Sequence, residues 1–123
     1  MAKLYFNYSS MNAGKSTALL QANHNYLERG MKTKMFTFSG DNRYEENRIV
    51  SRIGISADAL PFSEDTDLFQ SLIEDKDQIE IKCVLIDEAQ FLTKKQVAQL
   101  GKIADELDTA VLAFGIRTDF QGE

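Results

Sequence analysis

The 123-residue sequence contains one cysteine, one proline, one histidine and no tryptophan. A lone thiol, Cys83, forms no internal disulfide and no cysteine-cage zinc site. It suits a reducing compartment and a place in the core as a small hydrophobe. The one proline, Pro61, excludes a proline-rich or collagen-like chain. Long apolar runs are missing too. No stretch approaches the ~18 residues of a membrane span, and the opening Met1-Ala2-Lys3-Leu4-Tyr5-Phe6 turns polar without the apolar centre of a signal peptide. Positive charge is scarce: 14 Lys and Arg stand against 19 Asp and Glu, for a net charge of −5. Binding along a DNA or RNA backbone needs clustered cations, and these are dispersed. The composition therefore excludes nucleic acid and membrane as partners and points to a cytoplasmic protein.

What is present fits one domain, since a single core serves chains of about 100–150 residues. Strand and helix patterns alternate. Lys3 to Tyr8 reads as an aromatic strand, and 9–14 as a small polar loop. From Lys15 the spacing of Leu19, Leu20, Ala22, Tyr26 and Leu27 predicts a helix, with Arg29 in its last turn and Gly30 at the left-handed C′ position. Thr33 to Phe38 is a second strand. Residues 39–52 read as a long polar loop with at most a helical turn, and 57–62 as an edge strand, because Pro61 cannot donate to a central ladder. Asp65 or Thr66 caps a helix near 67–75. Cys83 to Ile86 is apolar without alternation, as in a parallel strand covered on both faces. Thr93 and Gln96 form a capping-box pattern ahead of the stripe Val97, Leu100, Ala104 and Leu107. A last strand runs from Ala110 to Phe114 and is ended by Gly115. This order implies an α/β fold with a mainly parallel sheet flanked by helices, and ligands in such sheets sit at the carboxyl ends of the strands.

Two segments carry chemistry. Ser9-Ser10-Met11-Asn12-Ala13-Gly14-Lys15-Ser16 follows a strand and opens a helix, matching the phosphate-loop pattern G-x-x-x-x-G-K-[ST] except that Ser9 replaces the first glycine. Backbone N–H groups and the helix N-terminus attract phosphate oxygens, Gly14 permits close approach, Lys15 reaches the β- and γ-phosphates, and the Ser16 hydroxyl ligates Mg²⁺. Val84-Leu85-Ile86-Asp87-Glu88 is an apolar strand ending in two carboxylates. Asp87 fits the acid that holds Mg²⁺, and Glu88 is placed to accept a hydroxyl proton or to activate water. Gln90 can hydrogen-bond phosphate or nucleoside. Phe91 reads as core or as a base-stacking wall, and sequence alone favours the core. Asp41 and Arg43, on the loop after the second strand, and Arg117, Asp119 and Phe120, after the last, fall at the same edge. His24 reads as a surface residue of the first helix.

These strings resemble the type II family of bacterial thymidine kinases: Met11 to Thr17, Ile86-Asp87-Glu88-Ala89-Gln90-Phe91-Leu92, and the ending Phe114-Gly115-Ile116-Arg117-Thr118-Asp119-Phe120-Gln121-Gly122-Glu123, in that order along the whole chain. The resemblance implies a RecA-like P-loop core that binds ATP and Mg²⁺ and transfers the γ-phosphoryl group to the 5′-hydroxyl of thymidine. It implies an ATP site of Ser9 to Ser16, Asp41, Arg43 and Asp87 to Gln90, with Glu88 as proton acceptor. It places Met11, Phe91 and Phe120 near the thymine ring. A homotetramer is implied as well. The family's later part, with its zinc site and a loop that grips the thymine, has no counterpart among these residues. The chain is read as a single P-loop ATP-binding domain spanning 1–123, a truncated kinase core. A P-loop ATPase and a non-catalytic ATP-binding fragment are the alternatives.

Overall fold

The computed structural model describes residues 3–10, 12–38, 48–50, 56–76 and 78–116; for 12–14, 16, 48–50 and 56–58 it describes the backbone alone. Five strands form one sheet: β1 (Leu4–Ser9), β2 (Lys32–Phe38), β5 (Leu60–Phe62), β6 (Ile81–Asp87) and β7 (Ala110–Ile116). Their order is β1-β7-β6-β2-β5, and every pairing in it is parallel. The continuously apolar sequence of β6 has the expected result. Cys83, Val84, Leu85 and Ile86 are all fully buried, because helices cover both faces. Pro61 lies on β5, at one end of the sheet, where its missing N–H costs no ladder bond. β1 forms the other end, and its Tyr5, Phe6 and Tyr8 are exposed.

One face is covered by α1 (Asn12–Glu28), whose Leu19 and Leu20 pack with Met35, Cys83, Leu85 and Phe114. Burial pushes the Cys83 thiol up to about 12, so it acts as core filling rather than as a nucleophile. α1 ends where Gly30 adopts φ 79°; Gly30 N–H donates to Leu27 O and Met31 N–H to Tyr26 O, the pair of bonds that closes a helix through a left-handed residue. The opposite face is covered by α2 (Leu68–Ile73) and α3 (Lys94–Glu106). There Leu68, Leu72, Leu100, Ile103 and Ala104 pack against Phe36, Val84, Ile86, Val111 and Ala113. Among the described residues, no helix is long and apolar enough to cross a membrane.

The expected capping box at α3 is present, and it does more than end a helix. Gln96 N–H donates to Thr93 Oγ1 and Thr93 N–H donates to Gln96 Oε1, while Gln96 Nε2 also donates to Ser63 O at 2.7 Å and Thr66 O at 3.0 Å. Gln96 is buried, so one side chain pins the β5–α2 connection onto α3. His24 is exposed and lies 3.2 Å from Glu28 one turn on, as a surface residue would.

The structure corrects the sequence reading at several boundaries. α1 begins at Asn12, not Lys15: the last residues expected as loop, 12–14, form the first turn of the helix despite the low helix propensity of Asn12 and Gly14. Leu27, assigned to the apolar face, is exposed. The cap of α2 is Asp67, which accepts Gln70 N–H at 2.9 Å, rather than Asp65 or Thr66. The edge segment divides into β4 (Ser56–Asp58) and β5, and β4 pairs antiparallel with β3 (Arg48–Val50), inside the stretch expected to be loop. β7 does not stop at Gly115 but continues through it, because Tyr8 and Ser9 of β1 extend the ladder to Gly115 and Ile116.

Replacing Gln96 with Leu removes the bonds to the Ser63 and Thr66 carbonyls and to the Thr93 N–H, and leaves Ser63 O with the Thr66 N–H at 3.2 Å. The expected loss is about 2–4 kcal/mol in urea unfolding. Lys95→Ala, on the exposed side of the same turn, should change stability by less than about 0.5 kcal/mol.

Candidate phosphate-binding site

The parallel register brings the carboxyl ends of four strands together: Ser9 lies beside Ile116, Phe114 beside Asp87, and Asp87 beside Thr37. α1 starts three residues after β1 ends, so its first turn opens onto this edge. The first four N–H groups of a helix have no intrahelical acceptor. Here they belong to residues 12–15, and they supply donors and positive potential for an anion.

Lys15, in that first turn, is almost wholly buried at 1% exposure. Its Nζ lies 2.6 Å from Asp87 Oδ1 and 3.1 Å from Glu88 Oε2. Asp87 also accepts the Thr37 hydroxyl at its Oδ2, 3.3 Å away, and the Glu88 N–H at its Oδ1, 2.9 Å away. Burial pushes the Asp87 carboxyl above the usual carboxylate range, and the hydrogen bond and charge of Lys15 pull it back. Glu88 leaves the strand in left-handed backbone, φ 62° and ψ 43°, a conformation that costs a non-glycine residue about 1–2 kcal/mol. This turn aims its side chain back at Lys15.

A second layer surrounds this group. Gln90 Nε2 donates to Glu88 Oε1 at 2.8 Å, and the Ile116 N–H donates to Gln90 Oε1 at 3.1 Å. Gly115 leaves the space this needs. A Cβ there would lie 2.7 Å from Tyr8 Cε1 and 2.9 Å from Gln90 Oε1. Phe91 is half exposed, not core as its sequence suggested, and stacks on Phe38 with ring centroids 4.7 Å apart; Phe38 in turn meets Phe62 edge-on. The short turn from Ala89 to Phe91 carries the ring outward while Ala89 stays in the core.

A buried lysine at a helix start, held by two carboxylates at the end of the second strand away in the sheet, has the cation and the N–H donors that phosphate binding requires. The model of one family, thymidine kinase, matches residues 2–123. The chain belongs to the thymidine kinase family. It is 54% identical to the thymidine kinase of Photorhabdus laumondii over 123 residues, all of this chain and 61% of that protein. It is 54% identical to the thymidine kinase of Agrobacterium fabrum, covering 64% of it, and 52% identical to that of Salmonella typhimurium, covering 60%. The chain thus spans about three-fifths of the length of these thymidine kinases.

Of the residues singled out from sequence, Lys15, Asp87, Glu88 and Gln90 form one connected group. Ser9 ends β1, and Ser10 follows it as an exposed bend. The backbones of Asn12, Ala13, Gly14 and Ser16 form the first turns of α1. Met11, Asp41, Arg43, Arg117, Asp119 and Phe120 lie outside the described residues. Thr37, Phe38 and Tyr8 also stand at this edge, though no motif marks them. Their signal was position alone, since each stands at or beside the last residue of a strand on the active edge.

Lys15→Met should destabilise the chain at pH 7 by about 3 kcal/mol, since it leaves a buried carboxylate without its cation. With Lys15 gone, the folded-state pKa of Asp87 rises further above its ordinary value. Such a carboxyl favours the folded state below its ordinary pKa and loses that contribution as pH rises through the folded value. The deficit relative to the parent should therefore shrink as pH falls toward the ordinary carboxylate range, as followed by urea unfolding at stepped pH.

Proposed function

We propose that this chain is the ATP-binding core of a thymidine kinase, and that it transfers the γ-phosphoryl group of ATP to the 5′-hydroxyl of thymidine. The observation that carries the reading is Lys15 Nζ, buried between Asp87 and Glu88 at the opening of α1. Phosphate oxygens compete directly for that ammonium. Once it turns to the β- and γ-phosphates, the N–H groups of residues 12–15 complete the cradle, with Ser9 to Ser16 as its wall. Asp41 and Arg43 join the phosphate site by resemblance, as do the backbones of Ala89 and Gln90.

Mg²⁺, which accompanies ATP, fits the donor set here, because hard cations take oxygen ligands. Asp87 and, by its motif position, Ser16 would hold it, with the Thr37 hydroxyl next to Asp87. When bound, the ion neutralises charge developing on the phosphoryl oxygens. Glu88 takes the proton of the 5′-hydroxyl as the oxygen of thymidine bonds to the γ-phosphorus and the bond to the β-phosphate oxygen breaks. The products are thymidine monophosphate and ADP. Phe91 stacked on Phe38 offers an aromatic surface to the base, joined by Met11 and Phe120 as the resemblance implies. The cytoplasm, where ATP is held and a free thiol stays reduced, is the compartment for this chemistry, and a homotetramer is the assembly the family resemblance suggests.

The test is thymidine monophosphate formation from Mg-ATP and thymidine, resolved from ADP. It is made first with the 123 residues and then with a chain continued by the last two-fifths of the Photorhabdus laumondii relative. Product that depends on thymidine is expected from at least the longer chain. ADP without the monophosphate would replace this reading with the ATPase. Mg-ATP binding with no turnover in either chain would leave a binding module. Glu88→Gln should slow transfer about 10²–10⁴-fold with ATP affinity nearly unchanged. Lys15→Ala should weaken ATP itself.

A further inference from the structure

Glu88 has two carboxylate oxygens and a different partner on each. Lys15 takes Oε2 at 3.1 Å and Gln90 takes Oε1 at 2.8 Å. The Lys15 contact is surrendered when the ammonium turns to phosphate, and the Gln90 contact is not. Gln90 is itself held at its other end. The last β6–β7 pair is Asp87 with Phe114, and two residues further along β7 the Ile116 N–H donates to Gln90 Oε1 at 3.1 Å. The side-chain amide thus takes the place of a strand where β6 has turned away. Its orientation is determined, because a backbone N–H only donates and an ionised carboxylate only accepts. Gly115 protects the arrangement, since a Cβ would fall within 2.9 Å of Gln90 Oε1 and 3.0 Å of Gln90 N.

We propose that Gln90 is the positioning residue for Glu88. Anchored on the end of β7, it keeps the carboxylate aimed at the acceptor hydroxyl after Lys15 has moved to the phosphates. This assignment rests on the reading of Glu88 as proton acceptor, and it gives Gln90 a role distinct from binding phosphate or nucleoside. It also accounts for the residue type. A glutamate at 90 would set two acceptors against each other and meet Glu88 with like charge, and an asparagine is one methylene short of spanning from Ile116 to Glu88.

The experiment measures kcat and KM in whichever of the two chains turns over, for Gln90→Leu, Gln90→Glu, Glu88→Gln and the double variant Glu88→Gln/Gln90→Leu. Gln90→Leu should lower kcat about 10–100-fold with KM for Mg-ATP and thymidine within about threefold, as expected for a misaimed group. Gln90→Glu, which keeps the shape, should lose as much. The double variant should be no more than about threefold slower than Glu88→Gln alone, because Gln90 acts only through Glu88. An unchanged kcat, a rise confined to KM, or losses that multiply in the double variant would overturn the proposal. Full activity in Glu88→Gln would instead remove the proton-acceptor reading, and the proposal with it. If neither chain turns over, the proton-acceptor reading falls and the assignment with it; amide exchange in the 123 residues tests the anchor separately. The Ile116 N–H should exchange at least about tenfold faster in Gln90→Leu while Leu85, mid-strand in β6, is unaffected. Unaltered exchange at Ile116 would overturn the anchor.

Discussion

A lysine ammonium cannot be taken out of water without a counter-charge, and the rest of this site follows from that constraint. Removing one ion from solvent still costs several kcal/mol after the protein relaxes. Lys15, at 1% exposure, meets that cost with Asp87 at 2.6 Å and Glu88 at 3.1 Å. The partners come from elements far apart in sequence, so the sheet order matters. With β7 between β1 and β6, the helix that follows β1 starts within reach of the carboxylates that end β6. Thr37 on the next strand takes the remaining Asp87 oxygen. Two strand ends and a helix start are thereby committed to one ion cluster. In thermodynamic terms the cluster is a placeholder. It keeps these side chains ordered, and under the proposed function phosphate would exchange one set of Lys15 contacts for another rather than create a site from loose parts.

Glu88 shows how a local irregularity serves this arrangement. Continued extended backbone would have sent its side chain to the opposite face from Asp87, because successive strand residues alternate. The left-handed turn brings both carboxylates to the same ammonium. The strain is offset by the hydrogen bond from Glu88 N–H to Asp87 and by Gln90 on the carboxylate.

What the sequence disclosed was the part encoded within a few residues. The apolar run ending in Asp87, the left-handed Gly30 and the Thr93/Gln96 box each depend on neighbours inside one turn or strand end, and each lies where its pattern placed it. The buried core of β6 followed from its lack of alternation. What escaped depends on register. Nothing near Gly115 says that Tyr8 and Gln90 close over it, so a glycine that permits close packing inside a strand looked like one that ends a strand. Phe91 looked like core because aromatic residues usually are. It is half exposed because a short turn rotates it onto Phe38, a residue 53 positions earlier in the chain. Gln96 was legible as a cap but not as the clamp on Ser63 and Thr66.

The sheet order has a consequence for how the chain is made. β1 is synthesised well before its sheet neighbour β7, and Leu4 pairs with Val111. At ribosomal rates of about 5–20 residues per second, roughly 5–20 s separate the appearance of the two strands. During that interval the Tyr5-Phe6-Asn7-Tyr8 segment has no partner strand to join. Every pairing in the main sheet is of this non-local kind, so no hairpin can nucleate it and loop closure precedes reward. The edge that carries Lys15, Asp87 and Glu88 is therefore completed only after β7 inserts between its two earlier neighbours.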